Sequence, residues 1–132
     1  MSHCVLWLDP DKADIFYLLP EGIQKTRIKR NTINHHTFNN KDHHGDPNTE
    51  HFFKDLAAKL GNTGEILLLG PGLAKNHFKT YLETHFKNGM ANKIVGIENT
   101  DHPTDNQIIA VARKFFKTYN LFHHPIQVRE IV

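Results

Sequence analysis

Two short runs govern what this chain can become. Cys4-Val5-Leu6-Trp7-Leu8 and Ile66-Leu67-Leu68-Leu69 are apolar without interruption. In an extended strand, successive side chains point to opposite faces. A run with no polar alternation presents apolar groups both ways, so both of its faces must be covered. Neither run approaches the ~20 residues of a membrane span. The expectation is a sheet with helices packed on both sides.

The rest of the chain supplies the other elements in a definite order. Asp9-Pro10-Asp11-Lys12 is a turn, because proline pre-sets one turn dihedral and aspartate bonds its neighbouring backbone. Ile15-Phe16-Tyr17-Leu18-Leu19 returns as a second strand, and Pro20-Glu21-Gly22 turns again. The third strand, Ile23 to about Ile33, sets Lys25, Arg27 and Lys29 on one face with few apolar companions, the pattern of an edge strand. After a polar stretch from His35 to Gly45, Asp46 and Pro47 open a helix as N-cap and first helical residue. Phe52, Phe53, Leu56, Ala57 and Leu60 form its apolar stripe, and Gly61 ends it. Glu65 to Leu69 is a strand, and Gly70-Pro71-Gly72 turns the chain into a second helix. That helix carries Ala74, Phe78, Tyr81, Leu82 and His85 on one face, with Lys75 and Lys79 on its polar face. Lys93-Ile94-Val95-Gly96-Ile97 is the next strand. Thr104 and Gln107 have the spacing of a capping box. The helix they open points Ile108, Ile109, Ala112, Phe115, Phe116 and Tyr119 to the core, and His123 to Val132 forms a tail.

Right-handed crossovers and uncrossed connections leave few ways to fold this order. The simplest is an α/β arrangement: a five-stranded mixed sheet, an antiparallel meander plus two parallel strands, with about three helices. That is the ribonuclease H-like three-layer fold. The length of 132 residues fits a single domain. Within it, 1–34 form the meander, 35–45 a His-rich loop, 46–120 the alternating helices and strands, and 121–132 the tail. One cysteine excludes an intrachain disulfide framework. Met1-Ser2-His3 lacks the basic and apolar regions of a signal peptide. The expected location is the cytoplasm, away from membranes.

A nuclease of this fold needs several carboxylates converging at the end of the first strand to hold two divalent ions. Asp9 stands there, but the strand that should supply its partner ends in Gly70-Pro71-Gly72. Asp9 reads as a turn residue, and a metal-dependent nuclease is excluded. Cys4 lies in a buried strand where thiols are inert, and the chain holds neither a Gly-x-Ser-x-Gly elbow nor a Walker-type loop. No catalytic residue and no cofactor is expected, so the protein reads as a non-enzyme. Three groups remain as candidate binding sites. His35, His36, His43, His44, Asp46 and His51 carry metal-ligand chemistry, the basis of a metal-binding or hydrolytic alternative, although their spacing matches no closed zinc pattern and a solvated loop has the same composition. Gly70 and Gly72 could turn backbone amides toward an anion at a helix start, and tight strand-to-helix turning explains them as well. Lys25, Arg27, Lys29 and Arg30 are the densest basic group, either a ridge for phosphates or a guard against edge-to-edge aggregation. A net charge of +2 does not choose between those two.

The second half carries a resemblance. Ile66 to Gly72, Ala74 to Leu82, Lys93 to Ile97 and Asn106 to Ala112 together resemble the middle domain of eukaryotic and archaeal class-one peptide-chain release factors and of Pelota-type ribosome-rescue factors. Short bacterial relatives described as translational machinery or host attachment proteins look similar. The resemblance covers most of the chain in element order, and about 60 residues from Glu65 to Phe116 in residue pattern. It implies a ribonuclease H-like domain without nuclease activity and a partner in the ribosome or tRNA. On that reading Lys41, His43 and His44 join Lys25, Arg27, Lys29 and Arg30 as RNA contacts. Release factors cleave peptidyl-tRNA with a Gly-Gly-Gln loop between the third strand and the first helix. Here Asn34 to Asp46 contains no such triplet and one glycine, so peptide release is not implied. Nor is stop-codon reading expected of a lone middle domain. Pelota-like factors lack the same triplet and still enter ribosomes. A third reading is a protein–protein module or homo-oligomer joined through the edge strand or the Ile126–Val132 tail.

Overall fold

The computed structural model describes residues 2–30 and 47–123. Its strands are β1 (His3–Leu8), β2 (Lys12–Leu19), β3 (Gly22–Lys29), β4 (Glu65–Gly70) and β5 (Ile94–Asn99). The helices are α1 (Pro47–Leu60), α2 (Ala74–His85) and α3 (Asp105–His123). The sheet order is β3-β2-β1-β4-β5, with β2 antiparallel to both neighbours and β4 parallel to both of its own. This is the expected α/β order, with the meander on one side and the parallel strands on the other.

The two uninterrupted apolar runs account for the layers. Cys4 to Leu8 and Ile66 to Leu69 are all buried. Cys4, Leu6, Leu8, Ile66 and Leu68 pack with Phe52, Phe53, Leu56 and Leu60 of α1 and with Phe78 and Leu82 of α2. Val5, Trp7, Leu67 and Leu69 face the other way, onto Ile108, Ala112 and Phe116 of α3. Burial pushes the Cys4 thiol up to about 12, in agreement with an inert group.

Local chemistry sets the joints. Asp9 Oδ1 accepts the backbone amides of Asp11 and Lys12, each at 2.8 Å, so Asp9 is a turn residue and β2 starts at once with Lys12. Thr104 and Gln107 cap each other reciprocally: the Thr104 amide donates to Gln107 Oε1 at 2.8 Å and the Gln107 amide to Thr104 Oγ1 at 3.2 Å. Gly70 has φ +153, and a Cβ there would stand 2.0 Å from the Leu8 carbonyl oxygen. Close approach of β4 to β1 therefore requires glycine. A 3-10 turn at Met90–Lys93, which the sequence reading lacked, delays the start of β5 to Ile94.

Two expectations on α2 are corrected. Lys75 is buried, at 2% exposure, rather than on the polar face. Spacings of three and four place it in one stripe with Phe78 and Leu82. His85 is exposed, its ring stacked on Tyr81 with 4.2 Å between centres rather than inserted in the core. The helix α3 runs to His123, so residues 121–123, expected as the start of the tail, are helical instead. The expected strand beyond Arg30, the Asp46 cap and the rest of the tail from residue 124 lie outside the described residues. No described helix is long and apolar enough to cross a membrane.

Candidate nucleic-acid interface

The register between β2 and β3 decides what the basic strand does. Lys12 stands opposite Lys29, Asp14 opposite Arg27, and Phe16 opposite Lys25. Phe16 belongs to the α3 side of the sheet, so this row of charges lies on that face. Arg27 holds Asp14 with two bonds, Nε to Oδ1 at 2.7 Å and Nη2 to Oδ2 at 3.1 Å. That hydrogen-bonded carboxylate raises the guanidinium pKa further above its ordinary value. Lys25 Nζ lies 5.5 Å from the Phe16 ring centre and 2.8 Å from Asp105 Oδ2, in the first turn of α3. Two of the expected phosphate contacts therefore also hold the edge strand in place.

Lys29 differs from them. Its ladder partner is Lys12, and among the described residues no carboxylate pairs with either ammonium. Lys12 Nζ sits 5.4 Å from the Trp7 ring centre. The Trp7 indole donates to the Asp101 carbonyl at 3.0 Å, and the exposed His102 ring lies 5.1 Å from it. The loop from β5 to α3 is thereby fastened over the end of β1. Arg30 is half-buried and, by strand alternation, belongs to the other face. Sequence reasoning missed Lys12 because it assigned that residue to the turn. The signal was the tight Asp9 turn, which makes Lys12 the first ladder residue.

The remaining candidates are distributed as follows. His35, His36, Lys41, His43, His44 and Asp46 lie outside the described residues. His51 sits on α1 with Nε2 3.6 Å from Asp55 Oδ2, both side chains exposed. Among the described residues, no group of three or more His, Cys, Asp or Glu side chains could hold a metal. At the Gly70–Gly72 turn, Gly72 has φ +61, and Leu73 gives α2 no side-chain cap. The buried Lys75 ammonium donates to the Gly72 carbonyl, and desolvation lowers its pKa.

No protein-family model matches the chain, and no curated protein matches it. Solved structures do. Archaeoglobus fulgidus Pelota aligns with a TM-score of 0.59 at 19% identity, covering 86% of this chain and 31% of that one. Thermoplasma acidophilum Pelota aligns with a TM-score of 0.59 at 21% identity, covering 89% and 32%. S. cerevisiae Dom34, described as a translation termination-like factor involved in RNA quality control pathways and interacting with Hbs1, aligns with a TM-score of 0.56 at 16% identity, covering 93% and 35%. At these identities the likeness is one of fold. The chain spans about a third of the length of each of these proteins.

Proposed function

We propose that this chain is a non-catalytic, translation-associated RNA-binding protein that meets ribosomal RNA or tRNA phosphates with the charged face of β2 and β3. The observation that carries the reading is the Lys12–Lys29 pair. Like charges placed directly opposite each other on neighbouring strands cost stability. A phosphate chain lying across both ammonium groups turns that cost into binding energy and releases counterions from the RNA. Arg27 and then Lys25 continue the row on one side of the pair as anchored cations, each already oriented by a carboxylate. Lys41, His43 and His44 extend the same reading into the segment before α1. The Pelota and Dom34 folds supply the translation setting, and the cytoplasm is the location that goes with it.

Sedimentation of the purified chain with ribosomes, at low and at high salt, tests the proposal. Wild-type protein comigrates at low salt and is lost at high salt. The Lys12→Glu/Lys29→Glu double variant stays at the top of the gradient, and a milder Ala pair flattens the slope of log affinity against log salt by about 2. Protein that remains at the top under both conditions, or a double variant that binds like wild type, overturns it. A doubled mass in light scattering that survives high salt points instead to a homo-oligomer paired through the β3 edge.

A further inference from the structure

We infer that the cleft between α1 and α2 is a binding site for a guanidinium group. The cleft has a volume of about 220 Å³ and is lined by Thr49, Glu50 and Phe53 of α1 and by His77, Tyr81 and His85 of α2, among others. It lies on the sheet face opposite the Lys12–Lys29 row, so it is independent of the RNA reading.

The lining is rich in acceptors. Glu50 brings a carboxylate in the first turn of α1. Its charge is felt across the cleft, where it joins burial in raising the Tyr81 phenol pKa. His85 Nδ1 lies 3.0 Å from the Tyr81 carbonyl. A carbonyl only accepts, so this nitrogen carries a proton, and in the neutral ring Nε2 is left as an acceptor. No lysine or arginine lines the cleft among the described residues.

Its walls are also flat. The His85 ring stacks on Tyr81 at 4.2 Å between centres, and Phe53 stands 5.5 Å from Tyr81. A ligand that suits this site has donors without acceptors, a positive charge for Glu50 and a planar face for the rings. Guanidinium has five N–H donors in one plane and no acceptor, and its face is attracted to aromatic rings. An anion would meet the Glu50 carboxylate and, among the described residues, no lysine or arginine. The volume falls below the ~300 Å³ at which drug-sized pockets begin, which fits a head group with a short arm.

Two sources carry this chemistry: a small guanidine compound, and an arginine side chain of a protein partner. Amide-resolved NMR titration of the whole chain separates them, with agmatine and a blocked Gly-Arg-Gly peptide as probes. Saturable shifts at Phe53, Tyr81 and His85 are expected, with a Kd of about 1 mM or tighter. Binding of agmatine alone marks a small-molecule site, and binding of the peptide marks a partner's arginine. Glu50→Gln weakens the effective probe at least about tenfold, with dispersed spectra showing that the variant remains folded. Absence of saturable shifts from both probes overturns the inference. So does unchanged affinity in E50Q, or putrescine binding as tightly as agmatine.

Discussion

Asp14 on β2 and Arg27 on β3 stand directly opposite each other, and the guanidinium grips the carboxylate through two bonds of 2.7 and 3.1 Å. The carboxylate is buried at 4% exposure while the arginine remains partly in solvent. Removing the arginine strands a buried charge, whereas removing both charges does not. Arg27→Met is therefore expected to lower the unfolding midpoint in urea, and the Arg27→Met/Asp14→Asn double variant to recover much of the loss. Equal midpoints for the single and double variants would contradict this. The same logic makes Arg27 a poor probe of RNA contact and Lys29 a good one.

Gly96 is a packing residue. A Cβ at this position would come within 2.5 Å of Phe115 Cζ. Gly96→Ala is expected to destabilise the fold by about 1–3 kcal/mol in urea denaturation, the usual cost of overpacking a core. Adding Phe115→Leu should return part of that loss.

The capping box at the start of α3 satisfies two amides that the helix itself leaves unpaired. Thr104→Ala should cost about 1 kcal/mol by thermal unfolding. Thr104→Ser should cost far less, since serine keeps the acceptor oxygen.

The Cys4 thiol carries a pH dependence of known sign. Burial lifts its pKa from 9.0 to about 12, so ionisation occurs more readily in the unfolded chain. Its contribution to stability is fully present below pH 9 and is lost as the pH rises toward 12, with a slope of about 1.4 kcal/mol per pH unit. Cys4→Val should flatten that part of the stability curve. In native protein at neutral pH, the thiol should react with aromatic disulfides only as fast as the chain opens.

Much of the fold was legible because its causes are local. The stripe from Phe52 to Leu60 is buried as its period requires, the Thr104–Gln107 cap forms from residues three apart, and Asp9 bonds the turn beside it. Lys75 shows where residue type misleads: its spacing from Phe78 and Leu82 indicated burial, while its charge suggested solvent.

The candidate site was legible only in part. From the sequence, Lys25, Arg27 and Lys29 were a row of equivalent cations on an edge strand. Their differences come from partners 13 residues away, at Asp14, and 80 residues away, at Asp105. Lys12 joined the site through its pairing with Lys29. The α1–α2 cleft likewise draws on Glu50 and Tyr81, which no spacing rule connects. The sequence by itself determined the five strands and three helices, their order and most of the faces they bury, because side-chain period and turn chemistry act over a few residues. Only the tertiary structure decided which of these cations face a carboxylate and which, among the described residues, do not, because that depends on strand register and helix packing between distant parts of the chain.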